Sequence, residues 1–323
     1  MRADRIVAAC LAAMVYAGSD GMAEEDKPGK DGIPQLDHVF VLVLENHGFY
    51  QIVGNSNAPF INHLASEYNL ATNYNSVWRP SLPNYLATIA GDYFEVSDNN
   101  ASTINIPPGP WSFPNPTIGS QLEAVGKDWR DYQEDIPEAG SVVANWPGDS
   151  NTGNLYAVKH NPFPYFAPHQ SAAELAKMVP LTQLFFDLAS ESGPALSYIV
   201  PNQCNDMHNL GNKLSPCANY SDDQIVARGD REVQWIVTSI MASPSWHNGK
   251  NVIFVIFDEG KGTPLQDKLA AIAITNYGRR HIQDDTYYTH YSLLKTIEAG
   301  FSLPYLGHAG DPGTKTMAPM LSP

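Results

Sequence analysis

Five short stretches carry the side chains that could do chemistry: Glu45-Asn46-His47, Ser81 within RPSLPNYLATIAGD (79–92), Asp206 and His208 within PNQCNDMHN (201–209), Asp258-Glu259, and Thr289-His290. Ser81 is the most informative. A serine at a helix start can cap the helix through its own hydroxyl, or it can present that hydroxyl to an electrophile such as phosphorus. Pro83 suits the first turn of a helix, because its missing N–H would lack an intrahelical partner anyway. A helix beginning here and stopping at Gly91 puts Ser81 at its positive end, where an anion is favoured. Asn84, about one turn on, is then expected to donate a hydrogen bond to a phosphoryl oxygen.

The acidic residues ask for a different partner. Carboxylates gathered without a basic residue close in sequence repel one another unless a cation sits between them. Taken singly, each stretch has a plain reading. Asp258-Glu259 can start a helix, Glu45-Asn46 can make a turn, Asp206 and His208 can be solvated loop residues, and His290 can be a surface histidine. Their joint placement is what points to a divalent metal, because each follows an apolar strand or opens a helix.

The elements that must position them are legible in the hydrophobic pattern. Residues 39–44, 195–200, 252–257 and 269–276 are continuous apolar runs, as expected of strands buried on both faces. Amphipathic helical patterns occupy 58–68, 180–190, 230–243 and 289–301. Strands alternating with helices predict an α/β fold with a mostly parallel central sheet and helices on both faces. In such sheets ligands bind outside the carboxyl ends of the strands, where Glu45, Asp206 and Asp258 stand. Residues 93–170 are rich in Pro, Gly, Asn and Trp. They read as a long irregular insertion over the active-site end.

The N-terminus reads as a secretory signal over residues 1–23, with Arg2 and Arg5 before an apolar run too short to span a bilayer. Residues 24–35 read as a flexible leader and 36–323 as one domain. The mature protein is expected to be secreted, with no stable membrane anchor. Cys204 and Cys217 then remain, and in an oxidising compartment they are expected to form a disulfide. The net charge of −15 leaves no surplus of cations for nucleic acid. An anionic substrate would need a local positive centre such as the metal.

The segments SLPNYLATIAG, LENHGF, KHNPF (159–163), PNQCNDMHN, VIFVIFDEG and THYSLLKTIEAGF together resemble the phosphoesterase branch of the alkaline phosphatase superfamily. That branch holds secreted acid phosphatases, SapM-like lipid phosphatases and phospholipases C. The resemblance implies an alkaline-phosphatase-like fold and a metal surrounded by Glu45, Asn46, Ser81, Asp258 and Glu259, with Ser81 as nucleophile. It places Asp206, His208 and His290 where the wider superfamily holds a second metal or handles the leaving group, and it turns His160 and Asn161 toward the substrate. Where the wider superfamily has Asp and Asp-His, this chain has Glu45-Asn46 and Asp258-Glu259. The first site becomes all oxygen, which suits Mg, Ca or Mn better than Zn. The spacing Asp206-x-His208 departs from the superfamily's Asp-x-x-x-His and leaves the second metal open. The expected function is a secreted phosphomonoesterase of acid-phosphatase type acting on small monoesters or phosphoinositide-type substrates. A phospholipase C-type phosphodiesterase on the same site and a non-catalytic metal-binding protein are the alternatives.

Overall fold

A computed structural model describes residues 29–99, 112–148, 154–190, 193–208, 216–261 and 268–322. The expected signal segment and residues 24–28 of the leader lie outside the described residues. The strands are β1 (His38–Leu44), β2 (Asn69–Asn75), β3 (Trp129–Gln133), β4 (Asn145–Trp146), β5 (Tyr156–Ala157), β6 (Met178–Pro180), β7 (Leu196–Val200), β8 (Asn251–Phe257), β9 (Lys268–Thr275), β10 (Gln283–Asp284) and β11 (Tyr288–Thr289). Nine of them form one sheet in the order β10-β2-β9-β8-β1-β7-β3-β6, with β11 also on β2. β1 pairs parallel with β7 and β8, while β9 runs antiparallel to β8 and β2. Every residue of β1, β7 and β8 is buried. That explains their unbroken apolar runs.

Register sets the level of the site. Leu44 of β1 lies opposite Phe257 of β8, and the Asp258 N–H donates to the Leu44 carbonyl at 2.9 Å. Glu45 and Asp258 therefore leave adjacent strands side by side. The helix Ser81–Ala90 packs against the helix His290–Gly300, and both are almost wholly buried. Gly91 ends the first of these at φ 73°, and a Cβ there would stand 2.3 Å from the Leu306 carbonyl oxygen. Only glycine fits both the conformation and the space.

The stretch 93–170 is less irregular than its composition predicts. It contains the helix Ile118–Ala124, and strand β3 within it sits inside the main sheet between β7 and β6. Arg130, Asp131 and Gln133 interrupt the apolar run of β3. That interruption hides a strand inside the sheet from hydropathy. The helix expected over 230–243 begins earlier, at Asp222, where Ser221 Oγ accepts from the Gln224 N–H.

Candidate active site

Three carboxylates converge beyond the ends of β1 and β8. Glu45, Asp258 and Glu259 each offer an oxygen, and these oxygens lie within 4.8 Å of one another. All three residues are buried. Asn46 knits the group together: its side-chain amide donates to Glu45 Oε2 at 2.7 Å, and its backbone N–H donates to Asp258 Oδ1 at 3.2 Å. Asn46 holds φ 56° to do so, a left-handed conformation that asparagine tolerates better than most residues.

Ser81 faces this cluster. Its hydroxyl lies 3.1 Å from Glu45 Oε2 and 3.3 Å from Glu259 Oε1. It is the first residue of its helix, and Pro80 holds the cap position before it. The hydroxyl is directed to the acids and does not serve the helix. The Leu82 N–H is taken by Asn99 Oδ1 at 3.0 Å, and Pro83 has none. The helix end therefore contributes its dipole, without these two donors.

His160 joins the group from the insertion. Its Nε2 is 2.7 Å from Glu45 Oε1, and its Nδ1 is 3.4 Å from Asp206 Oδ2. The Tyr85 ring stacks on it at 5.1 Å, and His208 meets it edge-on at 5.8 Å. Asp206 Oδ1 accepts from the His208 N–H at 2.6 Å, and the Asp206 carbonyl accepts from the Glu45 N–H at 2.7 Å. The loop is tied by the Cys204–Cys217 disulfide, as the sequence predicts.

Several expected roles do not match this geometry. Asn84 cannot donate to a phosphoryl oxygen: its amide donates to the carbonyls of Trp78 and Pro80, and its Oδ1 accepts from the N–H groups of Val77 and Trp78. It is the clamp that shapes the turn before Ser81. His290 is also fully used, with Nε2 donating to the Asp258 carbonyl at 2.7 Å and Nδ1 at 2.8 Å from the Tyr74 hydroxyl. It holds Asp258 and has no nitrogen left for a leaving group. Asp206 is not one of the three converging acids; its Oδ2 meets His160 Nδ1 instead. His160 and Asn161 are both buried, His160 between two carboxylates and Asn161 against the Tyr156 hydroxyl. His208 remains partly exposed and keeps an unpartnered Nδ1.

Two neighbours escaped the sequence reading. Arg79 Nη1 is 3.7 Å from Glu259 Oε2. The adjacency of Arg79 to the Ser81 segment was the available signal. Tyr85 lies one turn on along the same helix and faces His160. The i, i+4 spacing was the signal for that placement.

The electrostatics are those of acids crowded together. Burial, followed by the charges of Glu45 and Glu259, pushes the Asp258 carboxyl well above its usual range. Burial and Glu45 push Glu259 up to about 7. Burial would also raise Glu45, but His160 outweighs it and holds that carboxyl low. Burial raises Asp206 to about 6 against the pull of His160. Burial lowers His208 to about 3 and His290 to about 4. Asp258 Oδ2 has no hydrogen-bond partner, and Glu259 Oε2 has no hydrogen bond beyond the ion-pair approach of Arg79 at 3.7 Å. Three buried carboxylates converging with so few donors are what a hard divalent cation would satisfy, so the donor set fits a metal. A second grouping, Glu123, His169 and Glu174, differs. There the Lys177 ammonium contacts both glutamates and already supplies the positive charge.

The sequence is 29% identical over 303 residues to a phosphatidylinositol-3-phosphatase of Mycobacterium tuberculosis, covering 93% of this chain and 88% of that one. It is 29% identical over 272 residues to an acid phosphatase of Aspergillus fumigatus, covering 83% of this chain and 55% of the fungal protein. The chain thus spans about half the length of that relative. The fold is similar to that of a protein in the alkaline phosphatase superfamily from Vibrio parahaemolyticus, with TM-score 0.57 and 12% identity, covering 88% of this chain and 72% of that one. Residues 55–304 match the Phosphoesterase family, a range that takes in Ser81, His160, Asp206, Asp258, Glu259 and His290, and the chain belongs to that family.

Proposed function

We propose that this phosphoesterase, a hydrolase of phosphoric ester bonds, is a secreted phosphomonoesterase of acid-phosphatase type that works through a phosphoserine at Ser81. The observation that carries the reading is the Ser81 hydroxyl, held at the start of a buried helix within 3.3 Å of two carboxylates of the metal-type cluster. Glu45, Asp258 and Glu259, with Asn46 and Ser81 beside them, are the residues that would hold a divalent cation. When bound, such a cation lowers the pKa of a neighbouring hydroxyl and neutralises phosphoryl charge.

The chain's own groups do the rest. Ser81 Oγ gives up its proton toward Glu45 or Glu259 and attacks phosphorus. The phosphorus–oxygen bond to the substrate alcohol breaks, and a proton from His208 goes to the leaving oxygen. Burial disfavours the charged form of His208, and the arriving phosphate opposes that shift. Asp206 and His160 fix Glu45, while His290 fixes Asp258. Water then hydrolyses the phosphoseryl ester.

Residues 1–23 are assigned as the signal peptide, 24–35 as a leader and 36–323 as the single catalytic domain. Among the described residues no helix is long and apolar enough to cross a membrane. The named activity of the mycobacterial relative supports phosphoinositide-type monoesters as substrates beside small soluble ones. The test is a hydrolysis panel of aryl monoester, aryl diester, phosphoinositide and phosphatidylcholine, with and without chelator. Monoester turnover should exceed diester turnover at least about tenfold, a barrier difference of about 1.4 kcal/mol, and fall on chelation. Acid quench during turnover should leave phosphate on the peptide containing Ser81. Diester turnover equal to or faster than monoester turnover would favour the phospholipase C-type alternative. Absence of any turnover would favour a binding protein.

A further inference from the structure

We infer that Trp78 and Tyr93 form a leaving-group subsite that selects phosphate monoesters whose alcohol carries a ring, a reading that rests on the phosphomonoesterase assignment. Trp78 is 46% exposed, three residues before Ser81. Its indole stacks on Tyr93 with centroids 5.0 Å apart and planes within 7° of parallel. One face of the indole is thus covered, and its exposure belongs to the rest of the ring. A cavity of about 300 Å³ opens here, lined by Ser76, Val77, Trp78 and Arg79. Arg79 ties this wall to the catalytic cluster, since Nη1 lies 3.7 Å from Glu259 Oε2 and Nη2 donates to the Gly260 carbonyl at 2.7 Å.

The wall is rigid. Asn84 binds the backbone N–H groups of Val77 and Trp78 and the Trp78 carbonyl. The same asparagine therefore fixes the aromatic wall and belongs to the helix that carries the nucleophile. An indole held in place on one face offers the other at little entropic cost. Flat aromatic rings stack on such a surface, and so do the C–H faces of cyclitols. An acyclic alcohol gains little from it. The cavity is at the small end of ligand sites, large enough for one ring.

The test compares phenyl phosphate, inositol phosphate and glycerol phosphate as substrates of the wild type, Trp78→Ala, Trp78→Phe and Tyr93→Ala, with calorimetric titration of phenylphosphonate alongside. Trp78 is exposed and its backbone clamp survives substitution, so the variants should fold. Trp78→Ala should lower kcat/KM for the two ring substrates about tenfold more than for glycerol phosphate, chiefly through KM. Trp78→Phe should restore most of it, and Tyr93→Ala should give a smaller loss of the same kind. A selective loss confined to phenyl phosphate would assign the subsite to aromatic alcohols, and one confined to inositol phosphate to cyclitols. Equal losses on all three substrates would overturn the inference. If no monoester is turned over, the phosphomonoesterase reading fails and the titration still decides. Weaker phenylphosphonate binding in Trp78→Ala supports the subsite, and unchanged or absent binding rejects it.

Discussion

The Ser81 hydroxyl lies 3.1 Å from Glu45 Oε2, joining a helix start to a strand end 36 positions earlier in the chain. The contact separates a nucleophile from a helix cap, because a capping serine would face its own backbone. Ser81→Ala should therefore lower turnover by about three orders of magnitude or more. Its stability should change by no more than about 1 kcal/mol, the net worth of a typical hydrogen bond. Paired kinetics and thermal melts check this, and an active Ser81→Ala variant would remove Ser81 from the chemistry.

Glu45→Gln and Asp258→Asn should each weaken Mn²⁺ binding at least about a hundredfold, since loss of outer-shell partners alone reaches that size. In the metal-free protein Asp258→Asn also relieves repulsion among buried acids, whereas Glu45→Gln gives up the ion pair with His160. Metal-free Asp258→Asn should then melt no lower than the metal-free parent, and metal-free Glu45→Gln should melt below it. Asp258 and Glu259 hold protons more strongly than ordinary carboxyls. A cation must displace those protons, so affinity should rise with pH and binding should release protons. Calorimetry in buffers of different ionisation enthalpy measures that release; an enthalpy independent of buffer would argue against the assigned ligands.

Asn84 separates a structural role from a catalytic one. Asn84→Ala strands two N–H groups and two carbonyls of the turn before Ser81. It should cost about 2–3 kcal/mol of stability, because buried backbone groups without partners are expensive. Asn84→Asp keeps the acceptor but faces a carboxylate to two carbonyls, and it should be no better. A denaturant melt unchanged in both variants would return Asn84 to the substrate.

Asp131, outside the three-acid cluster, governs a pH dependence of its own. It is fully buried in β3, and burial raises its carboxyl to about 8, against a partial pull from the Gln133 amide. The folded state thus binds a proton that the unfolded state loses above about 3.8. The resulting stability is complete below that value and is lost as pH rises toward about 8. Each pH unit inside the window costs up to about 1.4 kcal/mol. Asp131→Asn keeps an oxygen for Gln133 and removes the titration. Its melting temperature should match the parent near pH 4 and exceed it near pH 8. Parallel pH profiles for the two proteins would show that Asp131 does not titrate in this window.

Hydropathy alone reveals the central strands, and the residues that end them reveal the donor types. Residues 39–44, 195–200 and 252–257 read as strands because burial on both faces leaves no place for polar residues. Glu45, Asp258 and Glu259 were legible because they break those runs at the carboxyl ends, where parallel sheets place their ligands. Strand β3 was not legible, since Arg130, Asp131 and Gln133 give it the composition of a loop. Nor could sequence tell what Asn84, His160 and His290 bind. Each carries groups that can serve substrate or scaffold equally well, and their type is the same in both roles. Tertiary structure made that choice by bringing the Trp78 and Pro80 carbonyls to Asn84, two carboxylates to His160, and the Asp258 carbonyl to His290. A buried polar atom that has found a partner has none left for a ligand, and that accounting exists only once the chain is folded.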